Sequence, residues 1–169
     1  MQPMSLRTPA LLLCALMLTA GCGDGEHDAG RKPVRPSSPA PSPPSPAAPP
    51  AGDPTRTGLP GARAALQIVL RAQAQGDPAA CQYVAPDSPF VRGKALRGDC
   101  VRGMRQFPHF LRPREREALW NVTVEGGRSA RNSDVIIPFS GLHYASGRLT
   151  VFQPTFTLRR LSGTWKLVA

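Results

Sequence analysis

The sequence predicts an α+β domain, with helices in its first half and an antiparallel sheet in its second half. Apolar residues recur with a helical period between positions 62 and 119, and they alternate with polar residues from Trp120 onward. From Gly23 to about Pro60 the chain is rich in Pro, Ser and Ala and cannot bury a core. We therefore predict one folded domain over residues 61–169, with N-terminal helices packed on the sheet.

The clearest predicted helix covers Ala62 to Gln75. Its apolar residues fall on one face, and Arg63, Gln67 and Arg71 fall on the opposite, polar face. Gly76 follows directly and is a plausible C-terminal stop, because glycine adopts the left-handed conformation that ends many helices.

The next predicted helices are short. Asp77-Pro78 combines an N-cap residue with proline at the first helical position, which predicts a second helix through Cys81 and Val84. Residues 85–89 are predicted to form a loop. The further predicted helical segments are 99–107, which Pro108 ends, and 111–119.

The remaining segments have the pattern of strands. Trp120, Val122 and Val124 share one face, and Ser162-Gly163 is a two-residue hairpin signal before the last strand. The apolar residues fall at odd positions over 149–151 and at even positions over 156–158. A bulge near Gln153-Pro154 would place both sets on the same face of the sheet. We expect both tryptophans, Trp120 and Trp165, in the core. The predicted strands are 120–125, 135–137, 149–158 with the bulge, and 164–168.

The N-terminal residues have the pattern of a secretory signal peptide. Arg7 supplies the positive charge, and the apolar run over residues 11–18 is too short for a membrane-spanning helix, which needs about 20 apolar residues. The run ends in Leu18-Thr19-Ala20-Gly21-Cys22, which resembles the lipobox of bacterial lipoproteins.

This resemblance implies that residues 1–21 are a lipoprotein signal peptide and that Cys22 receives a diacylglyceryl group. Two acyl chains on one residue suffice for stable anchoring, whereas one chain binds only marginally. The expected location is the cell membrane, at its extracytoplasmic face, with membrane lipid as a partner through Cys22. The alternative is a secreted protein that is cleaved near Ala20 and keeps Cys22 as a free thiol.

Residues 22–60 are predicted to be a disordered linker. Eight prolines between positions 36 and 50 favour solvated polyproline II. At about 3.1 Å per residue, roughly 25 to 30 residues of this kind would hold a domain on the order of 80 Å from the bilayer. A proline-rich ligand for a partner module and a metal site near His27 are the alternatives.

The basic charge limits the choice of partners. The chain has 21 Lys and Arg residues against 11 Asp and Glu residues, a formal net charge of +10. The arginines are scattered over helices, loops and strands, and export places the domain outside the cell, so we exclude nucleic acid. The charge favours anionic lipid headgroups or cell-wall polyanions, while a protein partner remains open.

The four cysteines have separate expected fates. Cys14 leaves with the signal peptide and Cys22 takes the lipid, which leaves Cys81 and Cys100 as an even pair. Outside the cytoplasm such a pair most often forms a disulfide. A metal site or a redox pair is the alternative, but the chain has no C-x-x-C motif and no histidine near either cysteine in sequence.

The folded part resembles small actinobacterial lipoproteins with an NTF2-like domain. The resemblance lies in the opening helix, in Gly76-Asp77-Pro78-Ala79-Ala80-Cys81, in Cys100, and in the ending Thr155 to Val168 with its Gly163-Thr164-Trp165 hairpin. It implies a cone in which a curved antiparallel sheet wraps a long helix and leaves a cavity at its open end.

Enzymes of this family place acid–base residues inside the cone, and the candidates here are Asp134, His109, His143 and Tyr144. Asp134 is expected to face solvent at a strand start, and His143 and Tyr144 lie in a segment that resembles a loop. We therefore predict no catalytic residue, no metal site and no cofactor. Two hypotheses remain: a non-enzymatic module that binds a small apolar ligand or a protein partner, and a small hydrolase or isomerase.

Overall fold

Helix α1 (Gly58–Gln75) lies at the centre of the part of the chain that the computed structural model describes, residues 50–150 and 153–169. It begins four residues before the predicted start at Ala62, because Pro60 falls in the first turn, where a helix needs no donor from the backbone. It ends as predicted at Gly76, whose φ of 74° is left-handed and whose N–H donates to Ala72 O at 2.8 Å.

The following helices are short and capped by side chains. Asp77 accepts from the N–H of Ala79 at 2.9 Å and Asp99 accepts from the N–H of Arg102 at 2.9 Å. The predicted second helix is a 3-10 turn, and the segment taken for a loop contains the start of a helix capped by Ser88. The bounds are Pro78–Tyr83 (3-10), α2 Pro89–Arg92, α3 Cys100–Gln106, Phe107–His109 (3-10) and α4 Pro113–Trp120.

The strands form antiparallel pairs, as predicted for an α+β domain. β1 (Thr123–Val124) pairs with β4 (Leu142–His143), and a four-stranded sheet has the order β2-β3-β5-β6. In its register Val135 lies opposite Leu158, and Leu158 lies opposite Leu167. The other strands are β2 Arg128–Ser129, β3 Val135–Pro138, β5 Thr155–Leu161 and β6 Thr164–Leu167.

Three predictions about the strands were wrong. Trp120 is the last residue of α4, with 40% of its surface exposed, because the helical hydrogen bonds continue to Asn121 N–H. His143 belongs to β4 rather than to a loop. Leu149 and Thr150 are not in a strand, and residues 151–152 lie outside the described residues, so β5 begins only after Pro154.

The core surrounds α1 on almost every side. The prediction that Gln67 and Arg71 form an exposed polar face was therefore wrong. Gln67 and Arg71 are buried because β1 and the end of α4 cover that side of the helix. Gln67 Oε1 accepts from the N–H of Val124 at 3.1 Å, and Arg71 donates to Val122 O at 3.0 and 2.8 Å. Arg63 is half-buried. The largest fully buried apolar side chains are Phe156, Leu66, Leu70, Leu96, Met104, Leu119, Ile137, Leu158 and Leu167.

Among the helices of residues 50–150 and 153–169, none is long and apolar enough to span a membrane. The segment predicted as a signal peptide, Cys22, and most of the proline-rich linker lie outside the described residues.

Candidate functional site

A groove of about 670 Å³ runs along α4, and we call it the Trp120 groove. Its apolar wall includes Trp120, which at 40% exposure is one of the three large hydrophobic residues, with Val101 and Phe110, that are exposed among the described residues. The full lining is Pro108, Leu111, Pro113, Arg116, Glu117, Trp120, Asn121 and Ser146. The groove surface is therefore mainly apolar, although four of its eight lining residues are polar or charged.

Helix α4 is held by a cap at its first turn and by a hydrogen bond to α1. Pro113 begins the helix, and the Glu115 carboxylate accepts from the N–H of Arg112 at 3.0 Å, which caps the first turn. On the side facing α1, Arg116 Nε donates to Ala74 O at 2.9 Å. These contacts place Trp120 at the far end of a helix that is held against the core.

The second wall of the groove is the loop after β4. Asn121 Nδ2 donates to Ser146 Oγ at 3.2 Å, and the backbone N–H of Arg148 donates to Arg114 O at 3.0 Å. Gly147 has a φ of 84°, and a Cβ there would overlap the backbone of α4 at Arg114. Only glycine allows the loop to approach α4 so closely.

A cationic pocket of about 410 Å³ adjoins the groove at Pro113, and we call it the arginine pocket. Its one carboxylate is Glu115, which accepts from the N–H of Arg112 and, at 2.8 Å, from Thr150 Oγ1. These hydrogen bonds, that from Arg112 first, hold the pKa of Glu115 below its usual value. The lining is Arg112, Pro113, Arg114, Glu115, Arg148 and Thr150.

A third pocket, of about 240 Å³, lies on the other side of Leu111, and we call it the Phe110 pocket. Phe110 is 60% exposed at its edge. The lining is Ala95, Phe107, Phe110, Leu111, Glu115, Leu149 and Thr150. Leu111 also lines the Trp120 groove, and Glu115 and Thr150 also line the arginine pocket, so the three pockets are contiguous.

No protein-family model, curated protein or solved structure matches this chain.

The prediction that Asp134 faces solvent was wrong. Its carboxylate is buried and receives two hydrogen bonds from Arg159, at 2.9 and 2.8 Å. The register that pairs Val135 with Leu158 also brings Arg159 opposite Asp134. The Arg159 hydrogen bond is the main cause that lowers the pKa of Asp134, against the opposing effect of burial. An ionised carboxylate in this ion pair is a structural group.

The other candidate acid–base residues lie apart from one another. His143 Nε2 is 3.6 Å from Glu125 Oε2, and both side chains are more than half exposed. His109 is exposed, and Tyr144 is half-buried against the core. Within the described ranges no hydrogen bond or ion pair joins any two of Asp134, His109, His143 and Tyr144. Nor do the described residues contain a cluster of three potential metal ligands.

The disulfide predicted from the cysteine pair is present. Cys81 and Cys100 are bonded, with their Cα atoms 5.9 Å apart, and they join the 3-10 turn Pro78–Tyr83 to the first residue of α3. The residues of the Trp120 groove were missed by sequence reasoning, although Phe110-Leu111 beside Arg112-Pro113-Arg114 places apolar and cationic groups next to each other.

Proposed function

We propose that the protein is a lipid-anchored, extracytoplasmic module without enzymatic activity that binds a small apolar ligand in the Trp120 groove. The observation that carries this proposal is the exposed Trp120 in a groove of about 670 Å³. Binding sites for small molecules are typically concave, mainly apolar and a few hundred Å³ in volume, with a few polar groups that orient the ligand. Asn121 and Ser146 are such groups here.

We also propose that the domain is an NTF2-like cone. Supporting this, α1 is an 18-residue helix that is buried on nearly every side, and the four-stranded antiparallel sheet contributes Ile137, Phe156 and Leu158 to the same core. The core is filled by these side chains, which favours the groove on the helical side over the interior of the cone as the binding site.

The alternative function, a small hydrolase or isomerase, has less support. Acid–base catalysis needs a proton donor or acceptor within hydrogen-bond reach of the substrate. Asp134 is hydrogen-bonded to Arg159, and His143 is the exposed residue of the short strand β4. Neither residue lines the Trp120 groove.

Membrane attachment is tested by fractionation of the host cells. Because the diacylglyceryl group would be attached to the Cys22 thiol, Cys22→Ala should move the protein from the membrane fraction to the medium or leave it as an unprocessed precursor. Cys14→Ala is the matched control, since Cys14 lies within the signal peptide and should leave membrane retention intact. Equal membrane retention of the Cys22→Ala protein would refute the anchor.

Ligand binding is tested by native mass spectrometry of the protein exported by and purified from its own host. We expect a reproducible added mass that is lost in Trp120→Ala. The control is Val101→Ala, which removes an apolar side chain 45% exposed on α3 and outside the groove. A wild-type protein without added mass would overturn the small ligand and favour a protein partner for the groove.

A further inference from the structure

We infer that the ligand is an anionic phospholipid, with its phosphate in the arginine pocket and its acyl chains along the Trp120 groove and the Phe110 pocket. This inference rests on the proposed function, because it names the ligand class of the same groove.

The arrangement of the three pockets matches the three parts of such a lipid. The arginine pocket meets the Trp120 groove at Pro113 and meets the Phe110 pocket at Glu115 and Thr150. A cationic pocket is thus flanked by two apolar ones, and Leu111 separates those two. A phospholipid likewise has one charged part, its headgroup, next to two apolar parts, its acyl chains.

The charges of the arginine pocket favour a phosphate. Arg112, Arg114 and Arg148 line the pocket with a single carboxylate, Glu115, whose two oxygens already accept hydrogen bonds. The guanidinium groups of Arg114 and Arg148 make no hydrogen bond or ion pair with any other residue that the structure describes. Guanidinium groups bind phosphate oxygens in a bidentate manner, and a phosphodiester would offer acceptor oxygens to both arginines.

The apolar pockets account for the rest of the ligand. The Trp120 groove, of about 670 Å³, is large enough for a drug-sized apolar group, whereas the Phe110 pocket, of about 240 Å³, can cover only part of a chain. The exposed faces of Trp120 and Phe110 would be buried by the two chains. A polyanion or an acidic peptide would use the arginine pocket and leave both aromatic residues exposed.

The test uses the full chain with Cys22→Ser, which prevents lipid attachment, and dioctanoyl phosphatidylglycerol below its micelle concentration. The chain has two tryptophans, and their indole N–H groups give two signals in an NMR spectrum. We expect the Trp120 signal to shift with saturation, while the signal of Trp165, which is only 3% exposed, stays in place. Dioctanoyl phosphatidylcholine and inorganic phosphate are titrated in parallel, and each should bind at least about tenfold more weakly.

Two pairs of variants separate the roles of charge and apolar surface. Arg114→Gln with Arg148→Gln should weaken phosphatidylglycerol binding by about tenfold or more, because charged hydrogen bonds to phosphate are lost. The matched control is Arg128→Gln with Arg131→Gln, two exposed arginines outside the three pockets. Trp120→Ala should likewise weaken binding, and Val101→Ala should leave it unchanged.

Each other outcome overturns part of the inference. Equal affinity for inorganic phosphate would show an anion site without a lipid, and equal affinity for phosphatidylcholine would exclude the charge requirement. If no phosphatidylglycerol binds but the host-purified protein still carries a mass that depends on Trp120, the lipid is wrong and the proposed function stands. If neither the titration nor the mass spectrometry shows a ligand, the proposed ligand-binding function is wrong as well.

Discussion

At the residue scale, α1 has three buried polar side chains in different environments. Gln67 accepts from the backbone of β1, and Arg71 donates to Val122 O at the end of α4. Burial lowers the pKa of Arg71 from its usual value. Gln73 is 1% exposed, and both of its amide atoms lack a hydrogen-bond partner among the described residues. A buried amide without partners destabilises the folded state.

We therefore expect Gln73→Met to raise the free energy of unfolding by about 1–3 kcal/mol, because it removes an unsatisfied buried group without emptying the core. Gln67→Met is the matched control on the same helix. It should lower the free energy of unfolding, because the N–H of Val124 would lose its acceptor. Urea unfolding followed by circular dichroism measures both. Destabilisation by Gln73→Met would indicate that the amide has a partner in the folded protein.

The ion pair of Asp134 and Arg159 predicts a pH dependence. The pKa of Asp134 is lowered in the folded state, so its contribution to stability is complete above about 3.9, the usual value for aspartate, and is lost as the pH falls through the lower folded-state pKa. Asp134→Asn should thus lower the free energy of unfolding most near neutral pH and only a little in strong acid. Urea unfolding from pH 7 to pH 2 measures this difference, and a constant difference would contradict the ion pair.

At the scale of elements, the disulfide joins two segments that are too short to be stable alone. The 3-10 turn Pro78–Tyr83 has six residues and α3 has seven, whereas isolated helices need about 12–15 residues. Each segment contributes an apolar side chain to the core, Ala80 from the 3-10 turn and Met104 from α3. The covalent bond keeps these two segments together beside α1.

Replacing both cysteines, as Cys81→Ser with Cys100→Ser, should lower the free energy of unfolding by roughly 3 kcal/mol, the chain-entropy value for a loop of about 20 residues. Urea unfolding measures the loss, and wild-type protein treated with a reductant should show the same decrease. Alkylation of either cysteine in the native protein without prior reduction would contradict the bond.

At the scale of the whole described domain, residues just before α1 contact the C-terminal hairpin. Trp165 Nε1 donates to Arg56 O at 2.9 Å, and Arg160 donates to Thr55 O at 3.4 Å. On another side, the N–H of Ala85 donates to Leu167 O at 2.9 Å. The last strands therefore contact the segment before α1 and the segment between the 3-10 turn Pro78–Tyr83 and α2.

A chain of residues 58–169 should be less stable than one of residues 50–169 by about 1–3 kcal/mol, because the indole N–H of the buried Trp165 loses its acceptor. The full chain is the reference for both, and thermal unfolding followed by circular dichroism gives the comparison. Equal midpoints for the two shortened chains would show that residues 50–57 contribute nothing to the domain.

Local chemistry in the sequence determined the helix that ends at Gly76, the cap at Asp77, the pairing of Cys81 with Cys100, and the hairpin at Ser162-Gly163. Each depends on residues close in sequence or, for the cysteines, on the small number of candidates.

Only the tertiary structure decided that the polar face of α1 is buried as well as its apolar face, where Trp120 lies and what surrounds it. The Trp120 groove combines Pro108, Trp120 and Ser146, which meet because α4 packs on α1 and the loop at Gly147 packs on α4. Asp134 likewise meets Arg159 through strand register. Burial and contact depend on which distant segments pack together, and periodicity along the chain contains no information about that choice.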